Sequence, residues 1–199
     1  MLCAGASSRM GRPKGLLPLD GVPLLRAHVD GFVAAGLPVT VVLGPLATEH
    51  VAVLPPGVRV VLNLAWRTTQ MADSAWFGLD GAGVALLTPV DTPPAKPATL
   101  AALLACDGPA VPTFAGVDGH PVRLAPPHDR VRLDARLAGA RRVPVDDPDC
   151  VRNLNRPDEW AAWVGSTEQP AQWVIAFFEK GGWMGMFWGL VYTAVLWLV

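Results

Sequence analysis

Short apolar runs alternate with helix-period stretches along most of the chain. Met1–Ala4, VTVVLG (Val39–Gly44), VRVVLN (Val58–Asn63) and VALLTPVD (Val84–Asp91) have the length and branched composition of strands buried on both faces. Between them, Pro23–Ala35 reads as a helix with Pro in its first turn and Gly36 past its end. Ala47–Val53, Gln70–Leu79 and Pro97–Cys106 read as further helices, and Ala110–Phe114 as another strand. Strands alternating with helices at this spacing predict an α/β fold, a mostly parallel sheet flanked by helices. Gly5–Gly21 reads as a long loop. Past Phe114 the pattern loosens: AGVDGHPVRLA predicts a hairpin-like excursion. A helix at Pro127–Leu137, a strand at Arg142–Val145 and a helix from Pro157 to Trp163 follow.

The end of the chain has a different pattern. GSTEQPA (Gly165–Ala171) reads as a polar linker, and residues 181–199 form 19 consecutive positions without a charge. That is close to the roughly 20 residues that span a bilayer. Trp183 and Trp197 flank the stretch as interfacial aromatics do. Gly181, Gly185 and Gly189 repeat at a spacing of four, which would let two such helices approach closely. A buried or interfacial helix is the competing reading. The expected organisation is an α/β domain over 1–164, a linker over 165–172 and a hydrophobic, transmembrane-like helix over 173–199. The α/β domain is expected in the cytoplasm, with the tail as candidate anchor to the inner face of the cell membrane.

Composition narrows the function classes. The chain has 199 residues, is 51 % hydrophobic, and carries a net charge of −1. No global basic field exists to attract nucleic acid. Cys3, Cys106 and Cys150 form no CxxC pair and no Cys/His cluster, which argues against a disulfide framework and a zinc site.

The loop after the first strand is the main chemical candidate. LCAGASSRMGRPKGLLPLDGVPLL (Leu2–Leu25) follows a strand with small residues and glycines, and adds Arg9 and Lys14. Such a loop can turn backbone N–H groups onto an anion, with fixed cations completing the site. It is not a Walker A loop: five residues separate Gly5 from Gly11, and Lys14 precedes Gly15 instead of Ser or Thr. A solvated surface loop with two ordinary basic residues is the alternative.

The same stretch resembles the signature of the MobA-like nucleotidyltransferases, approximately L-A-A-G-x-S-x-R-M-G-x-x-K-x-L-L-x-x-x-G-x-x-L-L, with Cys3 in place of one Ala. That family belongs to the Rossmann-like nucleotide-diphospho-sugar transferase fold. Its members carry several apolar residues before this motif, whereas here Met1–Ala4 is all that represents the first strand. The resemblance implies triphosphate contacts for Arg9 and Lys14, with Gly11 in the same loop. It also implies base and ribose contacts along the backbone of Leu2, Cys3, Ala4 and Gly5.

Four further segments continue the resemblance, which covers Met1 to Trp163. NLAWRTTQMADSAWFGL (Asn63–Leu79) resembles N-x-x-W-x-x-G-M-x-x-S-L-x-x-G-L; it implies that Ser74 sits near the base, while Thr69 or Gln70 stands where the family has Gly. LLTPVDTP (Leu86–Pro93) resembles L-x-x-P-x-D-x-P and implies a metal-binding Asp91. GVDGHPV (Gly116–Val122) resembles the G-x-x-G-H-P-V stretch of molybdenum cofactor cytidylyltransferases and implies acceptor-side roles for Gly119 and His120. VRNLNRPDEW (Val151–Trp160) resembles the family's closing D-I-D-T-P-E-D or N-I-N-T-P-E-E and implies that Asn155 is a second metal-side ligand, weaker than the Asp of some relatives, with Arg156 where Thr is usual. Each position also has a structural reading: Ser74 an ordinary helix serine, Asp91 a turn cap, His120 a structural hydrogen-bonder, Asn155 a helix cap.

The implied reaction is Mg²⁺-dependent transfer of a nucleoside monophosphate from an NTP, CTP favoured and GTP next, to a phosphate-bearing acceptor such as molybdopterin. Transfer to a sugar 1-phosphate and a non-catalytic nucleotide-binding or membrane-interaction module are the competing expectations.

Overall fold

The computed structural model describes residues 1–128 and 132–167. By its contacts the chain divides into two units, Met1–Pro157 and Asp158–Val199. The first holds nearly all of the described secondary structure.

Strand β1 (Leu2–Cys3) leads into a loop broken by a short 3₁₀ turn at Lys14–Leu16 and a miniature hairpin, β2 (Pro18–Leu19) with β3 (Val22–Pro23). The hairpin falls inside the expected loop. Its signal was Asp20–Gly21, both at positive φ (48° and 81°), the pairing a tight two-residue turn requires. Helix α1 (Leu24–Ala34) follows with Pro23 as its N-cap, then β4 (Thr40–Leu43), α2 (Ala47–Ala52), β5 (Arg59–Leu62), α3 (Met71–Leu79), β6 (Ala85–Leu87) and α4 (Pro97–Leu104). The chain continues with β7 (Ala110–Phe114), β8 (Val117–Asp118), β9 (Val122–Leu124), α5 (Leu133–Leu137), β10 (Arg141–Pro144) and α6 (Pro157–Thr167).

β1, β4 and β5 form a parallel sheet in the order β1–β4–β5. A second sheet runs β10–β7–β9–β6, with β8 hairpinned onto β7. The two meet at β1. Leu2 donates its N–H to the Thr88 carbonyl at 2.9 Å and accepts from Val90 N–H at 2.9 Å, beside a parallel bridge to Pro89. So this two-residue strand is hydrogen-bonded on both sides. The expected mixture of parallel strands and a hairpin-like excursion is seen: β1, β4 and β5 pair in parallel, as do β7 and β10, while β9 runs antiparallel to both β6 and β7. The excursion at Ala115–Pro121 turns the chain back on itself and inserts β9 between them.

The main core packs Leu2, Val42, Trp76, Leu79, Leu87, Val111, Val122 and Leu124 across the sheet and α3. Of the helix expected over Pro127–Leu137, the described residues show Leu133–Leu137, and residues 129–131 lie outside the described residues. The closing helix continues past Trp163 through Thr167, so Gly165–Thr167 are helical and not linker. In that second unit, Trp160 and Trp163 stack edge to face at 5.4 Å. Among the described residues no helix is long and apolar enough to cross a membrane. The apolar stretch 181–199, with Gly181, Gly185 and Gly189, lies outside the described residues.

Candidate active site

At the carboxyl end of β1 the chain must leave the sheet without colliding with β4. It does so because position 44 is glycine: a Cβ there would run into the Ala4 carbonyl oxygen. The loop then doubles back. Ser7 takes a left-handed φ of 53°, its carbonyl accepts Met10 N–H at 3.0 Å, and its hydroxyl accepts Lys14 N–H at 3.1 Å. Gly11, also left-handed (φ 70°), completes the return. Gly15 packs so tightly that a Cβ would lie 2.9 Å from both Cys3 Sγ and His50 Nε2. This packing aims the neighbouring Lys14 side chain inward; the residue is only 9 % exposed.

Lys14 Nζ meets Asp91 Oδ2 at 3.0 Å and Asn155 Oδ1 at 2.8 Å. Arg9, on the exposed arm of the loop, donates to the same Asn155 oxygen at 3.2 Å. Four residues separated by up to 146 positions thus converge at one point. Their backbones are also tied: Leu154 N–H donates to the Asp91 carbonyl at 2.6 Å. The segment carrying Asp91 has a second anchor that the sequence reading missed. His28, on α1, is fully buried, and its Nε2–H donates to the Thr92 carbonyl at 2.8 Å. Burial lowers the pKa of its ring to about 4, so the imidazole is neutral. Its apolar helical spacing with Leu24, Leu25 and Phe32 was the signal that it points into the core.

A cavity of about 190 Å³ opens beside this cluster. Lys14 and Asp91 line one side; Trp66, Thr69, Gln70 and Ser74 line the other, with Leu2, Ala4 and Gly5 between. Cys3 is not in its lining: strand side chains alternate, and Cys3 turns to the opposite face. There burial raises its thiol pKa to about 12. Arg9 and Gly11 also stand outside the lining. A larger cavity, about 310 Å³, lies at the other end of β1, but its lining is largely aliphatic with Arg59 as its one charged side chain, which suits no polyphosphate.

The far wall rests on a buried polar network. Asn63 Oδ1 accepts Ala65 N–H at 3.1 Å, and Asn63 Nδ2 donates to Thr69 Oγ1 at 2.8 Å and Ser74 Oγ at 2.9 Å. Gln70 and Asp73 close a reciprocal capping box at the start of α3. The residues standing where a glycine was expected therefore have their own structural employment.

Gly119 and His120 lie outside the cavity lining. Gly119 packs against the Cys150 backbone, where a side chain would collide, and His120 N–H donates to the Cys150 carbonyl at 2.7 Å. Burial lowers the His120 pKa, and the nearby Asp91 charge pulls it part of the way back.

The sequence pattern of the MobA-like NTP transferase domain matches residues 1–146. The chain belongs to this family. It is 32 % identical over 188 residues to the 2-C-methyl-D-erythritol 4-phosphate cytidylyltransferase of Nocardia farcinica, covering 77 % of this chain and 79 % of that one. Among solved structures it is similar to Rv0371c from Mycobacterium tuberculosis (25 % identity, TM-score 0.70, 82 % of this chain and 95 % of that one). It is also similar to a nucleotidyl transferase from Methanothermobacter (27 % identity, TM-score 0.68, 83 % and 94 %). Membership supports nucleotidyl transfer as the class of activity.

Divalent ions of the magnesium kind are held by one or two oxygen donors plus the substrate's phosphates. Asp91 and Asn155 fit that pattern. Their side-chain oxygens converge on one cation already, the Lys14 ammonium, and among the described residues no larger His/Cys/Asp/Glu cluster competes.

Proposed function

We propose that this MobA-like protein transfers CMP from CTP to a small-molecule phosphate monoester, with release of pyrophosphate and with Mg²⁺ as cofactor. The observation carrying this reading is the convergence of Lys14, Arg9, Asp91 and Asn155 beside a cavity whose wall Lys14 and Asp91 help to form. An acceptor phosphate oxygen bonds to the α-phosphorus, the bridge to the β-phosphate breaks, and its electrons leave with pyrophosphate. The acceptor is already ionised near neutral pH, so no side chain has to remove a proton from it. The loop backbone from Ala4 and the Lys14 and Arg9 cations hold the triphosphate and stabilise the leaving pyrophosphate. When triphosphate enters, Lys14 exchanges Asp91 for phosphate oxygens, which leaves the Asp91 carboxylate and the Asn155 carbonyl to hold Mg²⁺. When bound, the ion neutralises charge between the α-phosphate and the acceptor. Holding both substrates in line supplies much of the remaining acceleration.

The acceptor we favour is molybdopterin, on the resemblance of the Gly119–Val122 GHPV stretch to that of molybdenum cofactor cytidylyltransferases. The second reading is a sugar-type phosphate alcohol, favoured by the likeness to the methylerythritol phosphate cytidylyltransferase. The test is incubation of the full chain with Mg²⁺ and α-labelled CTP, offering molybdopterin, 2-C-methyl-D-erythritol 4-phosphate or a sugar 1-phosphate in turn. Label transferred to molybdopterin supports the first reading. Label transferred only to one of the other two overturns it and names the acceptor.

A further inference from the structure

Trp66 has no task in the chemistry described so far. It lines the cavity, half-buried, on the side away from Lys14 and Asp91. Among the described lining residues it is the one aromatic ring. Its loop is fixed by hydrogen bonds of its own. Trp66 N–H donates to the Asn63 carbonyl at 3.3 Å, and the N–H groups of Thr68 and Thr69 both donate to the Ala65 carbonyl, at 2.9 and 3.0 Å. Buried Asn63 ties the two ends of the turn together, through Ala65 N–H and Thr69 Oγ1. The ring is held as well: the Arg67 guanidinium lies over it, 5.0 Å from its centroid. Arg67 is exposed and takes no part in the lining, so it covers the ring from outside the cavity and leaves ring surface for an occupant.

A nucleotide anchored by its phosphates at Lys14 carries its base toward the uncharged side. A base is flat and neutral there, and a fixed indole offers it a flat apolar surface at little cost in side-chain freedom. We propose that Trp66 is the stacking platform for the nucleobase of the donor nucleotide. Every base has a π-face, so such a platform adds affinity without telling one base from another. Its contribution is thereby distinct from that of a hydrogen-bonding group such as Ser74, which reads the base edge. The inference rests on the reading of this cavity as the donor-nucleotide site.

The test is direct binding of CTP, UTP and inorganic tripolyphosphate, each with Mg²⁺, to the full chain as wild type, Trp66→Ala and Trp66→Phe. Tripolyphosphate engages the charged end but carries no base. Trp66→Ala is expected to weaken CTP and UTP alike, by at least about fivefold, and to leave tripolyphosphate within about twofold of wild type. Trp66→Phe keeps a π-face and restores CTP binding to within about threefold of wild type. Thermal melts of each variant separate loss of fold from loss of stacking. If folded Trp66→Ala binds CTP as wild type does, Trp66 is no platform. If it loses CTP and tripolyphosphate equally, Trp66 only supports the loop, and the proposal is wrong. If the wild type binds CTP no tighter than tripolyphosphate, nothing in the cavity holds the base; the proposal fails while the phosphate-binding role of the charged end stands. If the folded wild type binds none of the three, the donor-site reading fails, and the inference fails with it.

Discussion

The two ends of the 190 Å³ cavity are built on opposite principles. At one end Lys14 and Asp91 line the cavity, with Asn155 and Arg9 joined to Lys14 outside the lining; the four are charged or strongly polar, come from three distant segments and are partly open to solvent. At the other, Thr69 and Ser74 line the cavity with Asn63 buried behind them, uncharged, close in sequence and joined by an amide–hydroxyl network. The charged end is held in reserve: the Lys14–Asp91 pair satisfies both partners and can be exchanged for phosphate oxygens and a metal. The neutral end has little freedom to rearrange, because Asn63 at its centre is buried and both its amide oxygen and its amide nitrogen already have partners. Strong, exchangeable electrostatics suit a polyanion that must arrive, react and leave; fixed hydrogen-bond directions suit a base that must be told from its analogues.

The largest expected effect comes from breaking the charged end alone. Lys14→Met removes the cation that bridges Asp91 and Asn155, and kcat/KM for transfer falls about 100- to 1,000-fold. Discrimination between CTP and UTP stays within about threefold of wild type, because the neutral end is untouched. Steady-state kinetics with both nucleotides checks this; equal loss of selectivity would show that the two ends are not separable.

Breaking the frame shared by both ends comes next. Gly44→Ala sets a methyl group against the Ala4 carbonyl oxygen, and backbone has to move. Stability falls by about 2–3 kcal/mol, read as a lower urea midpoint, and nucleotide binding weakens at both ends together.

A third effect isolates the anchor beneath Asp91. In the unfolded chain His28 titrates near 6.5, in the folded protein near 4. Between those values the unfolded chain binds more protons, so stability is fully present above about pH 6.5 and declines as pH falls toward 4, by roughly 2–3 kcal/mol. His28→Gln retains a donor for the Thr92 carbonyl but cannot titrate, so urea melts across this range lose that part of their pH slope. An unchanged slope would assign it to other groups.

The smallest effect sharpens the metal side. Asn155→Asp offers a carboxylate beside Asp91, and the Mg²⁺ concentration for half-maximal activity drops about tenfold. No change would remove Asn155 from the metal set.

The charged end was legible in the sequence because charges at fixed spacing in Gly-rich loops are conspicuous: Arg9, Lys14 and Asp91 were all marked, and the first strand and its loop fell where the pattern put them. The neutral end was half legible. Ser74 was marked, but Asn63 was passed over, since an asparagine after an apolar strand looks like ordinary turn chemistry until the backbone brings Ala65, Thr69 and Ser74 around it. The burial of His28 was readable from its spacing with Leu24, Leu25 and Phe32, but its role was not, because its partner is a carbonyl 64 positions away. The excursion over AGVDGHPVRLA was legible as a hairpin from its glycines and alternation, but not that its returning strand, Val122–Leu124, lies between β6 and β7, because that pairing is set by segments far away in sequence.

The most direct test of nucleotidyl transfer at this site measures pyrophosphate release and CTP affinity side by side for wild type and Asp91→Asn, with Mg²⁺ and the accepted phosphate monoester. Wild type is predicted to release one pyrophosphate per product molecule. Asp91→Asn should release it at least about 100-fold more slowly, while its CTP dissociation constant stays within about threefold. Equal release rates for the two proteins, or tight CTP binding by wild type with no release from any acceptor, would contradict the account.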